Sequence, residues 1–172
     1  MPDLPTNSQF IGGSSATPRV LLPATADSNA IHKIHHDVKK TLGGNFTVTS
    51  EQATGTARWY YNPSKQIGDV DQDLIATGES FTDGAATVAG LDIIMAFYIK
   101  HLGVDNAGND VTEKLYISLE GNPISGEGIV LDPFESCVLK VEGVVPQNFE
   151  AETSGTSTHC MVEILAYIDD IA

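Results

Sequence analysis

Basic side chains are scarce in this sequence. Its 172 residues carry 9 Lys+Arg against 23 Asp+Glu, a formal net charge of −14. Binding to a phosphate backbone needs the opposite surplus, so nucleic acid is excluded as an expected partner. Long apolar runs are missing as well. The strongest, Leu91 to Ile99, is interrupted by Asp92 and is far too short to cross a bilayer. The start, Met1-Pro2-Asp3-Leu4-Pro5, has neither the basic n-region nor the apolar h-region of a signal peptide, so none is expected. Only two cysteines occur, Cys137 and Cys160. In a chain of this length they make no disulfide framework and are expected to be reduced and packed. No P-loop, dinucleotide-binding glycine fingerprint or Gly-x-Ser-x-Gly elbow is present. What remains is 41% apolar and 19% charged. That composition suits one acidic globular domain with a sizeable core.

The charge is unevenly placed. Residues 1–44 hold Arg19, Lys33, Lys39 and Lys40 against Asp3, Asp27 and Asp37, a balance of 4 − 3 = +1. Residues 45–172 hold 5 basic and 20 acidic side chains, a balance of −15. Residues 1–28 are rich in Pro, Ser, Thr, Asn and Gly and show no sustained period, which reads as an extended arm. Within the arm, Arg19-Val20-Leu21-Leu22 can add a strand to a neighbour's sheet edge. A short helix is expected next. Ser28 or Asn29 serves as N-cap, Ile31, Ile34, Val38 and Leu42 form one stripe, and Gly43-Gly44 close it. Lys39 and Lys40 sit where the helix dipole favours cations. The division is therefore 1–44, arm and helix, and 45–172, a β domain. The candidate interaction residues are Arg19, Val20, Leu21, Leu22, Ile31, Ile34, Val38, Lys39 and Lys40.

From Asn45 onward the pattern is that of strands. Asn45–Thr49 and Thr56–Tyr61 are rich in aromatic and β-branched residues. Asp92–His101 reads as a central strand with Ile93, Met95, Phe97 and Ile99 on the apolar face. Lys114–Leu119 turns Leu115, Ile117 and Leu119 inward, and Ser136–Glu142 does the same with Cys137, Leu139 and Val141. Cys160–Ile168 alternates Cys160, Val162, Ile164, Ala166 and Ile168 with Met161, Glu163, Leu165 and Tyr167. Turn residues separate these runs, as in Asp105–Asp110, Gly121-Asn122-Pro123 and Thr153–Ser157. The expected class is mainly β: an antiparallel two-sheet β-sandwich, jelly-roll-like, preceded by the arm and the helix.

Candidate chemistry is sparse. His32, His35 and His36 lie beside the helical stripe, but no pattern completes a metal site around them. Asp69-x-Asp71-x-Asp73 has calcium-loop spacing, yet Leu74 stands where the glycine belongs and Ser80 where the bidentate Glu belongs. Asp105 to Asp110 offers oxygens that can wrap a cation, but Asn, Gly and Asp are also what any hairpin loop uses. His159 and Cys160 are neighbours whose side chains diverge along a strand, so they make no nucleophile pair. Trp59-Tyr60-Tyr61 is the one aromatic cluster, and alternation should bury at least one member. Glu163 reads as an interface carboxylate. No catalytic, cofactor or metal residues are expected, and the chain is not expected to be an enzyme.

One resemblance runs through several segments: the stretch Ser28–Gly44, then Thr54-Gly55-Thr56-Ala57-Arg58-Trp59-Tyr60-Tyr61, and Phe97-Tyr98-Ile99-Lys100-His101-Leu102-Gly103. After these come Leu115-Tyr116-Ile117-Ser118-Leu119-Glu120-Gly121 and Ile129-Val130-Leu131-Asp132-Pro133-Phe134-Glu135-Ser136. The sequence resembles small virion structural proteins of tailed bacteriophages of the marine and cyanophage type, although Phe134 stands where Gly is more usual. The resemblance implies a capsid cement or decoration protein on the capsid exterior, made in the host cytoplasm. Its implied partners are the major capsid protein and further copies of itself, with a trimer among the candidate oligomers. Neither nucleic acid nor a membrane is an expected partner. A tail-tube or head–tail connector component, and a carbohydrate-binding sandwich module, stand as alternatives.

Overall fold

A computed structural model describes residues 9–14, 44–49, 52–121, 128–155 and 159–171. The expected helix and all nine candidate interaction residues, Arg19, Val20, Leu21, Leu22, Ile31, Ile34, Val38, Lys39 and Lys40, lie outside the described residues.

The chain is mainly β, with ten strands among the described residues. They are β1 (Gln9–Ser14), β2 (Gly44–Thr49), β3 (Thr56–Ile67), β4 (Gln72–Asp73), β5 (Ile93–His101), β6 (Leu115–Ser118), β7 (Ile129–Leu131), β8 (Ser136–Val144), β9 (Glu150–Thr153) and β10 (Cys160–Asp170). Two antiparallel four-stranded sheets carry the fold, ordered β3-β10-β5-β8 and β4-β9-β6-β7. Strands β1 and β2 make a two-stranded sheet of their own. That pairing joins a segment expected to be arm to the first expected strand of the body, and so spans the 44/45 boundary.

The C-terminal strand holds the first sheet together. β10 lies between β3 and β5, so the sheet is complete only when the last strand is in place. Its strict alternation makes this possible: Cys160, Val162, Ile164, Ala166 and Ile168 are all fully buried in one hydrophobic cluster. The cluster also takes Phe97 and Ile99 from β5, and Leu115, Ile117, Leu131 and Ala151 from the second sheet. Phe149, placed by the 3-10 turn Pro146–Asn148, meets Phe97 with ring centroids 4.6 Å apart.

Bulges correct the expected strand phase. Tyr167 pairs with Ala96 and Ile168 with Ile94, so Met95 is an extra residue in β5. One extra residue exchanges the two faces of everything before it. Phe97 and Ile99 point inward as expected, but upstream of the bulge Ile94 joins the core and Ile93 does not. Met95 is buried, although outside that cluster. The partner strand adjusts too. Ile94 faces Val144 while Ala96 faces Lys140, and Gly143 takes up the slack at φ 72°. Leu139 lies opposite Phe97 in register, but β8 is an edge strand and leaves Leu139 exposed rather than in the core. Pro63 is accommodated in the same way, in a bulge of the edge strand β3 between Asn62 and Lys65.

Candidate interaction surface

The face of the β3-β10-β5-β8 sheet turned away from the hydrophobic cluster is the most distinctive surface among the described residues. Register builds it in rows across the four strands. Tyr61, Leu165, Tyr98 and Val138 form one row, and Trp59, Tyr167, Ala96 and Lys140 form the next. Glu163, Lys100 and Ser136 continue on the other side of the Tyr61 row. Tyr61 is 46% exposed, and Trp59, Leu165, Tyr98 and Val138 are partly exposed. Tyr167 is fully buried, its ring centroid 4.7 Å from that of Trp59.

The polar groups of this face are organised around Glu163. The Tyr61 hydroxyl donates to Glu163 Oε1 at 2.9 Å, and that bond raises the Tyr61 phenol above its ordinary value. Tyr98 is raised by burial first and then by the Glu163 charge. Lys100 sits directly across from Glu163 on the neighbouring strand. The Tyr61 row is thus a set of partly exposed aromatic and aliphatic side chains with a carboxylate and an ammonium beside it, while Tyr167 and Ala96 in the next row are buried. Tyr and Trp supply large contact area at small entropic cost, which suits them to binding faces.

Alternation explains why Trp59 and Tyr61 are here and Tyr60 is not. Tyr60 points into the core, where its hydroxyl donates to Glu79, whose other oxygen takes Lys65 Nζ at 2.9 Å. Burial, with that bond second, raises the Tyr60 phenol. The sequence exposed the Trp59-Tyr60-Tyr61 cluster and Glu163. It did not place Tyr98 and Leu165 beside them, because cross-strand register is invisible in one strand.

The other motifs spend their chemistry locally. Asp105 Oδ1 accepts from the Ala107 and Asn109 amides at 2.8 Å and Oδ2 from Asn109 Nδ2 at 2.9 Å, which keeps its carboxyl below the ordinary range. Asp71 faces Glu152, whose carboxyl is raised by burial and then by Asp71. Among the described residues no group of three or more His, Cys, Asp or Glu is arranged to hold a metal ion. Burial pushes the Cys137 thiol up to about 11 and Cys160 up to about 12, so neither is a ready thiolate. Three buried carboxylates are structural. Asp92 accepts from the Ala89 and Ile171 amides, Asp169 holds Thr54 and Gly55, and Asp170 takes Arg58 Nε at 2.5 Å.

His101 is fully buried at the end of β5. Its Nδ1 accepts from the Gly103 amide at 3.0 Å, which leaves the proton on Nε2 to donate to the Glu113 carbonyl at 3.0 Å. Burial lowers its pKa, against the Glu113 carbonyl and the charges of Asp132 and Glu113. An unfolded histidine takes its proton near pH 6.5, while this one stays neutral to lower pH. Stability should therefore fall as pH drops from about 6.5 toward the folded value. Urea midpoints measured at pH 7 and pH 5.5 should differ less in His101→Gln than in the unaltered chain.

Comparison of the chain with protein-family models, with curated proteins and with solved structures finds no match.

Proposed function

We propose that this chain is a tailed-phage virion structural protein of the capsid cement or decoration class. In this reading the body is a two-sheet β-sandwich that binds the major capsid protein lattice through the outer face of β3-β10-β5-β8. The observation that carries the proposal is the row Tyr61–Leu165–Tyr98, partly exposed on three adjoining strands and set beside Glu163 and Lys100. Rigid aromatic anchors with polar groups at their margin are what a recurrent protein–protein contact uses. The sandwich arrangement is supported by one hydrophobic cluster that draws on both sheets. The body's 20 acidic against 5 basic side chains suit a protein that must stay unassociated until it meets a lattice. Repetition over that lattice would turn modest single contacts into avidity. Arg19, Lys33, Lys39 and Lys40 give the first 44 residues a balance of +1, and in this reading that segment makes a second contact with the same lattice.

The test is cosedimentation with bare capsids. Tyr61→Ala combined with Tyr98→Ala should weaken binding at least about tenfold while leaving the fold intact. Undiminished occupancy would remove the sheet face from the account, and binding only to tails would favour the connector reading. The Tyr61–Glu163 pair also suits a second reading, a glycan-binding face, since aromatic rings stack on sugars while carboxylates accept from their hydroxyls. Loss of binding to an oligosaccharide array in the same double variant would favour that reading.

A further inference from the structure

Residues 45–172 hold 5 basic side chains against 20 acidic ones, and most of the 5 are engaged within the fold. Arg58 meets Asp170 at 2.5 Å and Asp83 at 2.7 Å, Lys65 meets Glu79 at 2.9 Å, and Lys114 meets Asp132 at 2.9 Å. Lys100 and Lys140 complete the set, and among the described residues neither makes an ion pair. Both belong to the outer face of β3-β10-β5-β8. Lys140 is exposed on the edge strand β8, at the end of the row that holds Trp59, Tyr167 and Ala96. Lys100 is partly exposed in the row on the other side of Tyr61, Leu165, Tyr98 and Val138. The aromatic row therefore runs between two ammonium groups.

The rows carry Lys100 and Lys140 against Glu163, a balance of 2 − 1 = +1. The rest of residues 45–172 carries 3 basic and 19 acidic side chains, 3 − 19 = −16. Glu142 falls in the irregular stretch between Lys140 and Val144, outside the rows. Hydrogen bonding is skewed the same way. Ammonium groups only donate, and the Tyr98 phenol, raised by burial and then by the Glu163 charge, keeps its proton to donate. Glu163 is the one carboxylate in the rows, and its Oε1 already accepts from the Tyr61 hydroxyl. The face is rich in donors and poor in acceptors. We infer that the protein surface docked on this face is acidic, with carboxylates that reach Lys100 and Lys140 on either side of an apolar patch covering the Tyr61 row. A nucleic-acid backbone fits less well, since the aromatic and aliphatic row needs an apolar counterpart and the −16 remainder repels an extended polyanion. The inference rests on the capsid reading, with a lattice subunit as the partner, and names the chemistry that subunit presents.

The test uses the full chain and bare capsids, with Tyr61→Ala/Tyr98→Ala measured alongside. Lys100→Gln combined with Lys140→Gln should lower capsid affinity at least about fivefold and flatten its dependence on salt, because salt screens exposed charge pairs. Lys100→Arg with Lys140→Arg should keep both the affinity and the salt dependence. Glu163→Gln keeps an acceptor for Tyr61, removes the carboxylate from the rows, and should tighten binding. The glutamine double variant should melt within about 2 °C of the unaltered chain. A larger fall would make the lysines structural and overturn the inference. Unchanged affinity and salt dependence in that variant, with binding lost in Tyr61→Ala/Tyr98→Ala, would overturn the acidic partner and leave the sheet face standing. Tighter binding by it would mean a basic partner surface and contradict the inference. Capture of duplex DNA by the full chain, lost in the same variant, would assign the lysines to a polyanion and overturn it as well. Failure of the unaltered chain to bind capsids would sink the capsid reading and the inference together.

Discussion

Phe97→Ala should destabilise the protein by about 3–5 kcal/mol, the range for removing a buried aromatic ring from a core that closes only partly around the gap. The side chain is fully buried, lies on a strand paired on both sides, and packs its ring against Phe149 at 4.6 Å. Phe149 belongs to the segment leading into the second sheet, so the loss falls on the contact between the two sheets rather than within one. Urea denaturation is the measurement. The midpoint should drop with an unchanged slope. A loss below about 1 kcal/mol would mean that Phe97 does not occupy the core, and the strand phase beyond the Met95 bulge would have to be redrawn.

Asp169→Ala should cost about 2–4 kcal/mol, through a different mechanism. Asp169 is almost wholly buried, and its carboxylate accepts from Thr54 N at 2.7 Å, Thr54 Oγ1 at 2.9 Å and Gly55 N at 2.7 Å. These are charge-assisted bonds, and alanine leaves two backbone amides without an acceptor. The loop cannot relax by moving closer, because Gly55 already lies against the Asp170 carbonyl, where an added Cβ would sit 2.0 Å from the oxygen. Asp169→Asn keeps one carbonyl acceptor and should lose roughly half as much. Hydrogen exchange at Thr54 and Gly55 separates this account from a general loosening. Those amides should exchange faster in Asp169→Ala, while amides in β6 and β9 keep their relative protection.

The strands that could be read in the sequence are those with a long, uninterrupted alternation. β10 shows this best, because its five inward residues follow one another without a bulge on the core side. β5 was legible as a strand but not in phase, since a single extra residue at Met95 leaves no mark in a run that is apolar on both faces. Leu139 fits the inward pattern of β8 and still stands exposed, because position at a sheet edge depends on strand order. β4, β7 and β9 are too short for any period to register. Leu74, Ile75, Phe81 and Val88 fill the core from an irregular segment, where periodicity has nothing to report.

The surface was legible only in parts. Trp59, Tyr61 and Glu163 drew notice by residue type, whereas Tyr98 became their neighbour through pairing across β10. Nothing in the sequence sets Asp92, Asp169 and Asp170 apart from the other carboxylates, whereas in the fold they are buried and hold Ile171, Thr54, Gly55 and Arg58. Phe134 was conspicuous in the sequence as a phenylalanine where glycine is usual, and its positive φ supplies the physical reason.

The proposed contact between the outer face of the β3-β10-β5-β8 sheet and a capsid lattice is open to direct measurement. A photo-reactive phenylalanine analogue at position 61, on assembled virions irradiated and digested for mass spectrometry, tests it most directly. The account expects cross-links from position 61 to the major capsid subunit. Cross-links confined to tail subunits, or absent from every capsid subunit, would contradict it.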